Sequence, residues 1–158
     1  MTDQANRGAA VRLPPPLVYL GAIGLGALLQ ATLLPLKLDL TFSLRLGGAL
    51  LLALLGLSSM GAAIGLFKKT GQDPKPWVST PEIISEGIYR FSRNPMYLGM
   101  ALIQTAAGVG LANGWILLLL PPVLLTIHFS AIRHEEAYLE KVFGEEYTRY
   151  KASVRRWI

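Results

Sequence analysis

Hydrophobic residues along the chain gather in four long runs that are separated by polar segments. The runs cover residues 17–36, 41–67, 96–112 and 115–133. Each run reaches the length of roughly 17 residues at which an apolar helix can cross a bilayer. The pattern therefore predicts an all-α integral membrane protein with about four transmembrane helices.

Polar segments make up the rest of the chain. Residues 1–16 are polar and then proline-rich, so we expect a flexible segment before a single membrane domain of residues 17–158. Residues 68–94 contain helix-breaking prolines and glycines, but also enough apolar residues to predict an ordered connector that folds against the membrane domain. Residues 134–158 continue the helical pattern of the last run as far as Gly144, and a second short helix can follow. This pattern predicts a C-terminal helical extension.

Two local signals inside the runs concern helix packing and helix shape. Gly61 and Gly65 have the spacing of a GxxxG motif, which favours a close contact between two helices. Pro121 and Pro122 lie within the fourth run, where each removes a backbone donor. We therefore expect a kink in the fourth helix.

Composition agrees with a membrane location and excludes several kinds of site. Of 158 residues, 52% are hydrophobic and only 16% are charged, whereas soluble domains carry about a quarter charged residues. Cysteine is absent and only two histidines are present, which excludes disulfides, thiolate sites and a histidine-rich metal site. The net charge of +5 indicates basic loops facing an anionic membrane leaflet rather than binding to nucleic acid.

The basic residues are distributed very unequally between the two ends of the predicted helices. With four spans, 13 of the 15 lysines and arginines fall on one side, and only Lys37 and Arg45 fall on the other. The side rich in positive charge is usually cytoplasmic. We therefore expect a protein of a bacterial inner membrane, with both termini and residues 68–94 in the cytoplasm. No Asp or Glu lies within a run, which argues against an ion-coupled transporter.

Residues 87–99, GIYRFSRNPMYLG, form the first candidate functional motif, at the start of the third run. Pro95 suits the first turn of a helix and Asn94 suits the N-cap before it. In the simpler interpretation the motif begins a membrane helix, with Tyr97 in an aromatic belt and the arginines at lipid headgroups. In the other, the free N–H groups of the helix N-terminus bind a carboxylate or another anion.

The second candidate motif is AIRHEEAYLEKVFGEEYTRY in the tail. Helical spacing places His128, Glu135 and either Tyr138 or Leu139 on one face. The simpler interpretation is a solvated helix face with an Arg133–Glu136 pair and a structural histidine. The alternative assigns chemistry to His128 and Glu135.

Together these motifs resemble those of the isoprenylcysteine carboxyl methyltransferase and phospholipid methyltransferase superfamily, which consists of integral membrane enzymes. The resemblance covers about residues 68–158 and follows the pattern G-x-Y-R-x-x-R-[HN]-P-x-Y-x-G, then E-E-x-x-L-x-x-x-F-G-x-x-Y-x-x-Y. The matching residues are Gly87, Tyr89, Arg90, Arg93, Asn94, Pro95, Tyr97, Gly99, Glu135, Glu136, Leu139, Phe143, Gly144, Tyr147 and Tyr150. The resemblance implies methyl transfer from S-adenosylmethionine to a lipophilic acceptor, with S-adenosylhomocysteine as product and no metal.

The resemblance also implies a cofactor pocket on the cytoplasmic face, covered by the connector and the C-terminal extension. The implied cofactor contacts are Pro81, Glu82, Ile83, Ile84, Tyr89, Asn94, Pro95, Met96, Tyr97 and Glu135. The candidate catalytic residues are Glu135, Arg133 and His128. Asn94 replaces the family's histidine and is unable to act as an acid or base. The isoprenylcysteine enzymes carry an arginine one turn before the acid, where this chain has Ala131.

Several alternatives remain open on the sequence. The acceptor group can be a carboxylate, a thiol or a lipid amine, and nothing in the sequence indicates an oligomeric state. The competing functions are a small non-enzymatic membrane protein, whose motifs only anchor helices at the membrane surface, and a transporter-like helix bundle.

Overall fold

The fold is a helical bundle in which long helices pack side by side and short helices follow at the C-terminal end. The computed structural model describes residues 8–11 and 13–158, and this part of the chain contains no β-strand. The α-helices are α1 (Pro15–Thr32), α2 (Phe42–Lys69), α3 (Pro95–Gly110), α4 (Gly114–Leu118), α5 (Leu120–Ile127), α6 (Arg133–Phe143) and α7 (Glu145–Ser153). A 3₁₀ turn covers Gly87–Arg90, and a π-helical turn covers His128–Ile132.

Three of the described helical segments are long and apolar enough to cross a membrane. They are α1, α2 and the continuous segment Gly114–Phe143. The predicted all-α membrane fold is therefore confirmed. α3 has 16 residues and a length of about 24 Å, which is less than the roughly 30 Å of the hydrocarbon core. A fourth crossing stays a prediction.

Packing between α2 and α3 depends on two glycines. A Cβ atom added to Gly56 would lie 2.7 Å from the carbonyl oxygen of Gly99, so the two backbones approach too closely for any side chain. Ser59 supports the same contact, since its hydroxyl donates a hydrogen bond of 2.7 Å to the Pro95 carbonyl. The close contact predicted at Gly61 and Gly65 is wrong, because no atom of the described residues lies within 4 Å of a Cβ at either position.

The turn between α3 and α4 ties α4 to α1. The Asn113 side chain accepts a hydrogen bond from the Ile116 N–H at 3.2 Å and donates one to the Gly26 carbonyl at 3.1 Å. Trp115 Nε1 donates to the Leu34 carbonyl at 2.7 Å. These bonds fix the end of the bundle that lies opposite the connector.

The segment Gly114–Phe143 changes its helical geometry twice. It divides into α4 and α5 at Leu119, next to the prolines for which a kink was expected. The second change is the π turn, in which the Arg133 N–H donates to the His128 carbonyl, five residues back. A π turn contains one residue more than an α turn, so the residues that follow it are rotated around the helix axis.

The hydrophobic core lies between α1, α3, α5 and the π turn, directly beneath the connector. It is formed by Tyr19, Ala22, Tyr97, Met100, Ala101, Val123, Ile127, Ala131 and Ile132. Residues from both motifs thus contribute to the core.

The connector folds against the helices, as the sequence predicts. The Thr80 N–H donates to the Tyr138 hydroxyl at 3.1 Å, and Ala9 in the N-terminal segment donates to the Pro76 carbonyl at 2.7 Å. Residues 1–7 and Arg12 lie outside the described residues. The flexible segment expected for residues 1–16 therefore stays a prediction.

Candidate functional site

A cavity of about 290 Å³ lies where the connector meets the bundle. Its walls come from the N-terminal segment, the start of α1, the end of α2, the connector, the first turn of α3, and α6 and α7. Residues of both sequence motifs therefore line a single cavity. Its polar and aromatic lining residues include Phe67, Gln72, Trp77, Glu82, Tyr89, Asn94, Tyr97, Glu135, Tyr138, Tyr147 and Tyr150.

Most of the predicted cofactor contacts lie in this lining. Those that line the cavity are Glu82, Ile83, Ile84, Tyr89, Asn94, Pro95, Met96, Tyr97 and Glu135, whereas Pro81 lies outside the lining. The structure thus brings residues from distant parts of the sequence together around one space. Their roles toward a cofactor stay a proposal.

Two of the candidate catalytic residues, His128 and Arg133, lie outside the cavity lining. The His128 ring packs against Phe129 with 4.9 Å between ring centroids, and the Arg133 guanidinium lies 5.7 Å from the centroid of the same ring. The prediction that His128 and Glu135 share a helix face assumes a regular α-helix. The π turn between them rotates Glu135 away from that face, which is the physical reason for the difference.

Glu135 lines the cavity, where it contacts Tyr97. The Tyr97 hydroxyl donates a hydrogen bond to the Glu135 carboxylate. Tyr97 is in the first turn of α3 and only 8% exposed, and its backbone carbonyl accepts a hydrogen bond of 3.1 Å from the Tyr19 hydroxyl. The carboxylate is therefore held in place by a tyrosine that is itself packed in the core.

Glu136 takes a different direction and binds two arginines. Its carboxylate accepts hydrogen bonds from Arg156 Nε at 3.0 Å and Nη2 at 2.8 Å, and Arg93 Nη1 lies 3.0 Å from the same group. The partners of Glu136 are therefore Arg156 and Arg93, and not Arg133, which the sequence suggested as its partner. The ion pairs instead hold the C-terminal segment against the first motif.

Asn94 contributes to the same docking. It precedes α3 as expected, but its side chain makes no capping hydrogen bond. Its Nδ2 instead donates to the Arg156 carbonyl at 2.9 Å, and the Arg93 N–H donates to the Arg155 carbonyl at 3.0 Å. Asn94 therefore occupies the predicted N-cap position, but its side chain does not make the capping hydrogen bond. Because the Asn94 side chain does not cap α3, the N–H groups of the first turn do not have that acceptor and can bind another one.

Tyr89 is placed by the 3₁₀ turn and by α7. Its carbonyl accepts a hydrogen bond of 2.8 Å from the Tyr150 hydroxyl, and its ring meets the Phe67 ring edge-on with 6.2 Å between centroids. Burial raises the pKa of the Tyr89 phenol above its usual value, and the nearby Tyr150 and Glu135 raise it further. The phenol therefore stays protonated near neutral pH and can act as a donor.

Sequence reasoning missed several lining residues. Tyr147 and Tyr150 belong to the second motif but were not included among the predicted contacts. For Tyr138, the sequence predicted only that it shares a helix face with His128 and Glu135. Gln72 lies at the start of the irregular connector, where no periodic pattern or motif could have identified it.

Comparisons with known proteins agree with the two motifs. The model of the family described as phospholipid methyltransferase matches residues 44–146, about two thirds of the chain. An uncharacterized protein of Haemophilus influenzae is 44% identical over 63 residues, which cover 40% of this chain and 100% of that protein. No solved structure matches the chain.

Two relatives carry a functional name. Protein-S-isoprenylcysteine O-methyltransferase of Schizosaccharomyces pombe is 33% identical over 72 residues, covering 46% of this chain and 30% of that protein. Protein-S-isoprenylcysteine O-methyltransferase B of Arabidopsis thaliana is 29% identical over 73 residues, covering 46% of this chain and 37% of that protein. The chain thus matches only about a third of the length of these relatives.

Proposed function

We propose that this chain, which belongs to the phospholipid methyltransferase family, transfers a methyl group from S-adenosylmethionine to a lipophilic acceptor in the membrane. The observation that carries the proposal is a single cavity lined by both motifs, in which Tyr97 holds the Glu135 carboxylate. Family membership also favours an enzyme over the non-enzymatic and transporter alternatives. The bilayer and the acceptor are the partners that this activity requires.

The chemistry of the lining residues fits this cofactor. S-adenosylmethionine carries a sulfonium, an ammonium, a carboxylate, ribose hydroxyls and a flat adenine. Glu135 offers a carboxylate to the ammonium or the ribose, and the uncapped first turn of α3 offers N–H groups to the carboxylate. Phe67, Trp77 and Tyr89 offer aromatic surface to adenine.

The proposed mechanism is direct displacement. When bound, the cofactor supplies an activated methyl group: a bond forms from the acceptor atom to the methyl carbon, the carbon–sulfur bond breaks, and its electron pair goes to sulfur. The protein then contributes mainly alignment, which can account for much of the rate increase. No covalent intermediate with a side chain is required.

The need for a base depends on the acceptor. A carboxylate or thiolate attacks without losing a proton, whereas a protonated lipid amine must first lose one. Glu135 is the group in the cavity that we propose for proton removal, since Tyr97 is protonated and donates to it, and His128 and Arg133 lie outside the lining. We assign no proton transfer to Asn94.

The apolar side of the cavity is our proposed location for the acceptor. Ala9, Pro15, Pro16 and Met100 line it there and belong to the N-terminal segment, α1 and α3. A lipophilic chain can bind such a surface through the hydrophobic effect. The names of the family and of the two relatives are both consistent with a lipophilic acceptor.

Calorimetry with S-adenosylhomocysteine tests the cofactor site. Glu135→Ala should weaken binding about 10- to 100-fold, because it removes a charge-assisted contact. Glu146→Ala is the matched control: Glu146 is exposed on α7 and absent from the cavity lining, so its loss should change binding less than twofold.

Two results would contradict the proposal. Folded wild-type protein that binds no S-adenosylhomocysteine at millimolar concentration would exclude the cofactor, and equal effects of the two alanine variants would exclude this site. Incubation with labelled cofactor and a membrane-lipid extract, followed by identification of the labelled product, would then establish the acceptor class.

A further inference from the structure

The side-chain amide of Gln72 is buried in the cavity wall. The residue is only 8% exposed and lines the cavity. Neither Nε2 nor Oε1 of its side chain has a hydrogen-bond partner in the part of the chain that the structure describes. An unpaired buried amide costs free energy, so a ligand that supplies both a donor and an acceptor would be bound favourably here.

The backbone, and not the side chain, determines where this amide lies. Gly71 has a φ of 69°, a left-handed conformation that glycine adopts without strain. The Gln72 N–H then donates to the Phe67 carbonyl at 2.8 Å, and the Gly71 N–H donates to the Lys68 carbonyl at 3.2 Å. This pair of bonds is the Schellman motif that ends α2. Within the described part of the chain, only the backbone of Gln72 takes part in this motif, and its side chain makes no hydrogen bond.

The surroundings of Gln72 favour a flat, neutral ligand group. Phe67, which accepts the backbone bond from Gln72, also lines the cavity and meets the Tyr89 ring edge-on. Trp77 lines the cavity from the same connector. An amide beside aromatic surface is suited to a nucleobase, whose face stacks while its edge forms hydrogen bonds.

We propose that Gln72 recognises adenine by accepting a hydrogen bond from its 6-amino group and donating one to the adjacent ring nitrogen. This inference rests on the proposed function, since it names the residue that makes the same site specific for an adenine-containing cofactor. A neutral amide is a weak partner for the ammonium or the sulfonium, for which the cavity provides the Glu135 carboxylate. The adenine edge, with a donor beside an acceptor, matches a glutamine amide.

The test compares two ligands by calorimetry: S-adenosylhomocysteine and its analogue lacking the 6-amino group. Wild-type protein should bind the analogue about tenfold more weakly, since one hydrogen bond to a buried group is lost. Gln72→Met should bind both ligands equally within about twofold. Gln72→Glu keeps an acceptor for the 6-amino group, so it should retain the preference with lower overall affinity.

Gln104→Met is the matched control. Gln104 is a buried glutamine in α3 whose Nε2 donates to the Ile116 carbonyl at 3.0 Å, and it does not line the cavity. This variant should lose thermal stability but keep the tenfold preference. Gln72→Met should show the opposite result, with an unchanged or higher melting temperature without ligand and no preference.

The outcomes separate this inference from the proposed function. If the wild type binds S-adenosylhomocysteine but Gln72→Met keeps the full preference for the amino group, the role of Gln72 is wrong and the cofactor site stands. An equal affinity of the wild type for both ligands would have the same meaning. If the wild type binds neither ligand, both proposals are wrong.

Discussion

At the residue scale, two adjacent glutamates bind different partners. Glu135 lines the cavity and accepts the hydrogen bond from Tyr97, whereas Glu136 binds Arg156 and Arg93. Successive helical residues are separated by about 100°, so neighbours necessarily face different surroundings. The sequence identified Glu135 through a family resemblance, but the partner residues of Glu136 are 20 or more positions away and were not predicted.

Glu136→Gln tests the docking of the C-terminal segment. The substitution keeps the size of the side chain but leaves two arginines without a counter-charge, which should lower the free energy of unfolding by about 2 kcal/mol. This value is below that of a fully buried pair because the Arg156 side chain is 36% exposed. Denaturation in detergent measures the loss, and limited proteolysis should cut the C-terminal segment sooner.

Glu140→Gln is the control for that prediction. The Lys151–Glu140 pair is more exposed, at 36% and 40%, so its loss should cost less than about 1 kcal/mol. Equal losses from the two substitutions would show that Glu136 is no more than a surface charge.

At the scale of elements, the local geometry of α3 and of the last long segment decides which side chains meet. α3 begins at Pro95, directly after the residues that bind the C-terminal segment. The π turn at His128–Ile132 then sets the rotation of α6 and thereby the direction of Glu135. Neither the π turn nor its effect follows from a 3.6-residue pattern, which assumes regular helix throughout.

Gly99→Ala tests the close contact between α2 and α3. A Cβ at Gly99 would lie 2.6 Å from the Met60 Cγ and 2.7 Å from the Gly56 carbonyl oxygen, so the helices must separate. Overpacking of this kind typically costs about 1–3 kcal/mol. A lower melting temperature in detergent is the expected result.

Gly61→Ala serves as its control on the same helix pair. Among the residues that the structure describes, none has an atom within 4 Å of a Cβ at Gly61, and alanine favours helix over glycine by up to about 1 kcal/mol. The melting temperature should therefore stay the same or rise. A decrease equal to that of Gly99→Ala would place the contact at Gly61 after all.

At the scale of the whole molecule, the cavity depends on parts of the chain that are far apart in sequence. The N-terminal segment, the connector and the C-terminal segment come together over the start of α3. Leucines on the outer face of α2 are exposed, as expected for residues that face lipid. The basic residues predict that the cavity faces the cytoplasm, and this orientation stays a prediction.

Single cysteines test the orientation, because the natural chain has none. Asp39→Cys and Ser153→Cys place a thiol at exposed positions on opposite sides of the predicted membrane domain. A membrane-impermeant maleimide added to intact cells should label Asp39→Cys alone, and should label Ser153→Cys only after the membrane is opened. The reverse labelling pattern would invert the proposed topology and place the active site outside the cytoplasm.

The sequence by itself determined the helical membrane class, the two motifs and part of the cavity lining. Hydrophobic runs and proline signals act locally, so they can be recognised without knowledge of the fold. The tertiary structure alone decided that the helices meet at Gly56 and Gly99, that His128 lies outside the cavity and that Gln72 lies inside it. Asn94 shows the same division: its position before α3 follows from the sequence, but its hydrogen bond to the Arg156 carbonyl exists only because the chain folds back. Contacts between distant residues depend on helix rotation and chain return, which local patterns do not encode.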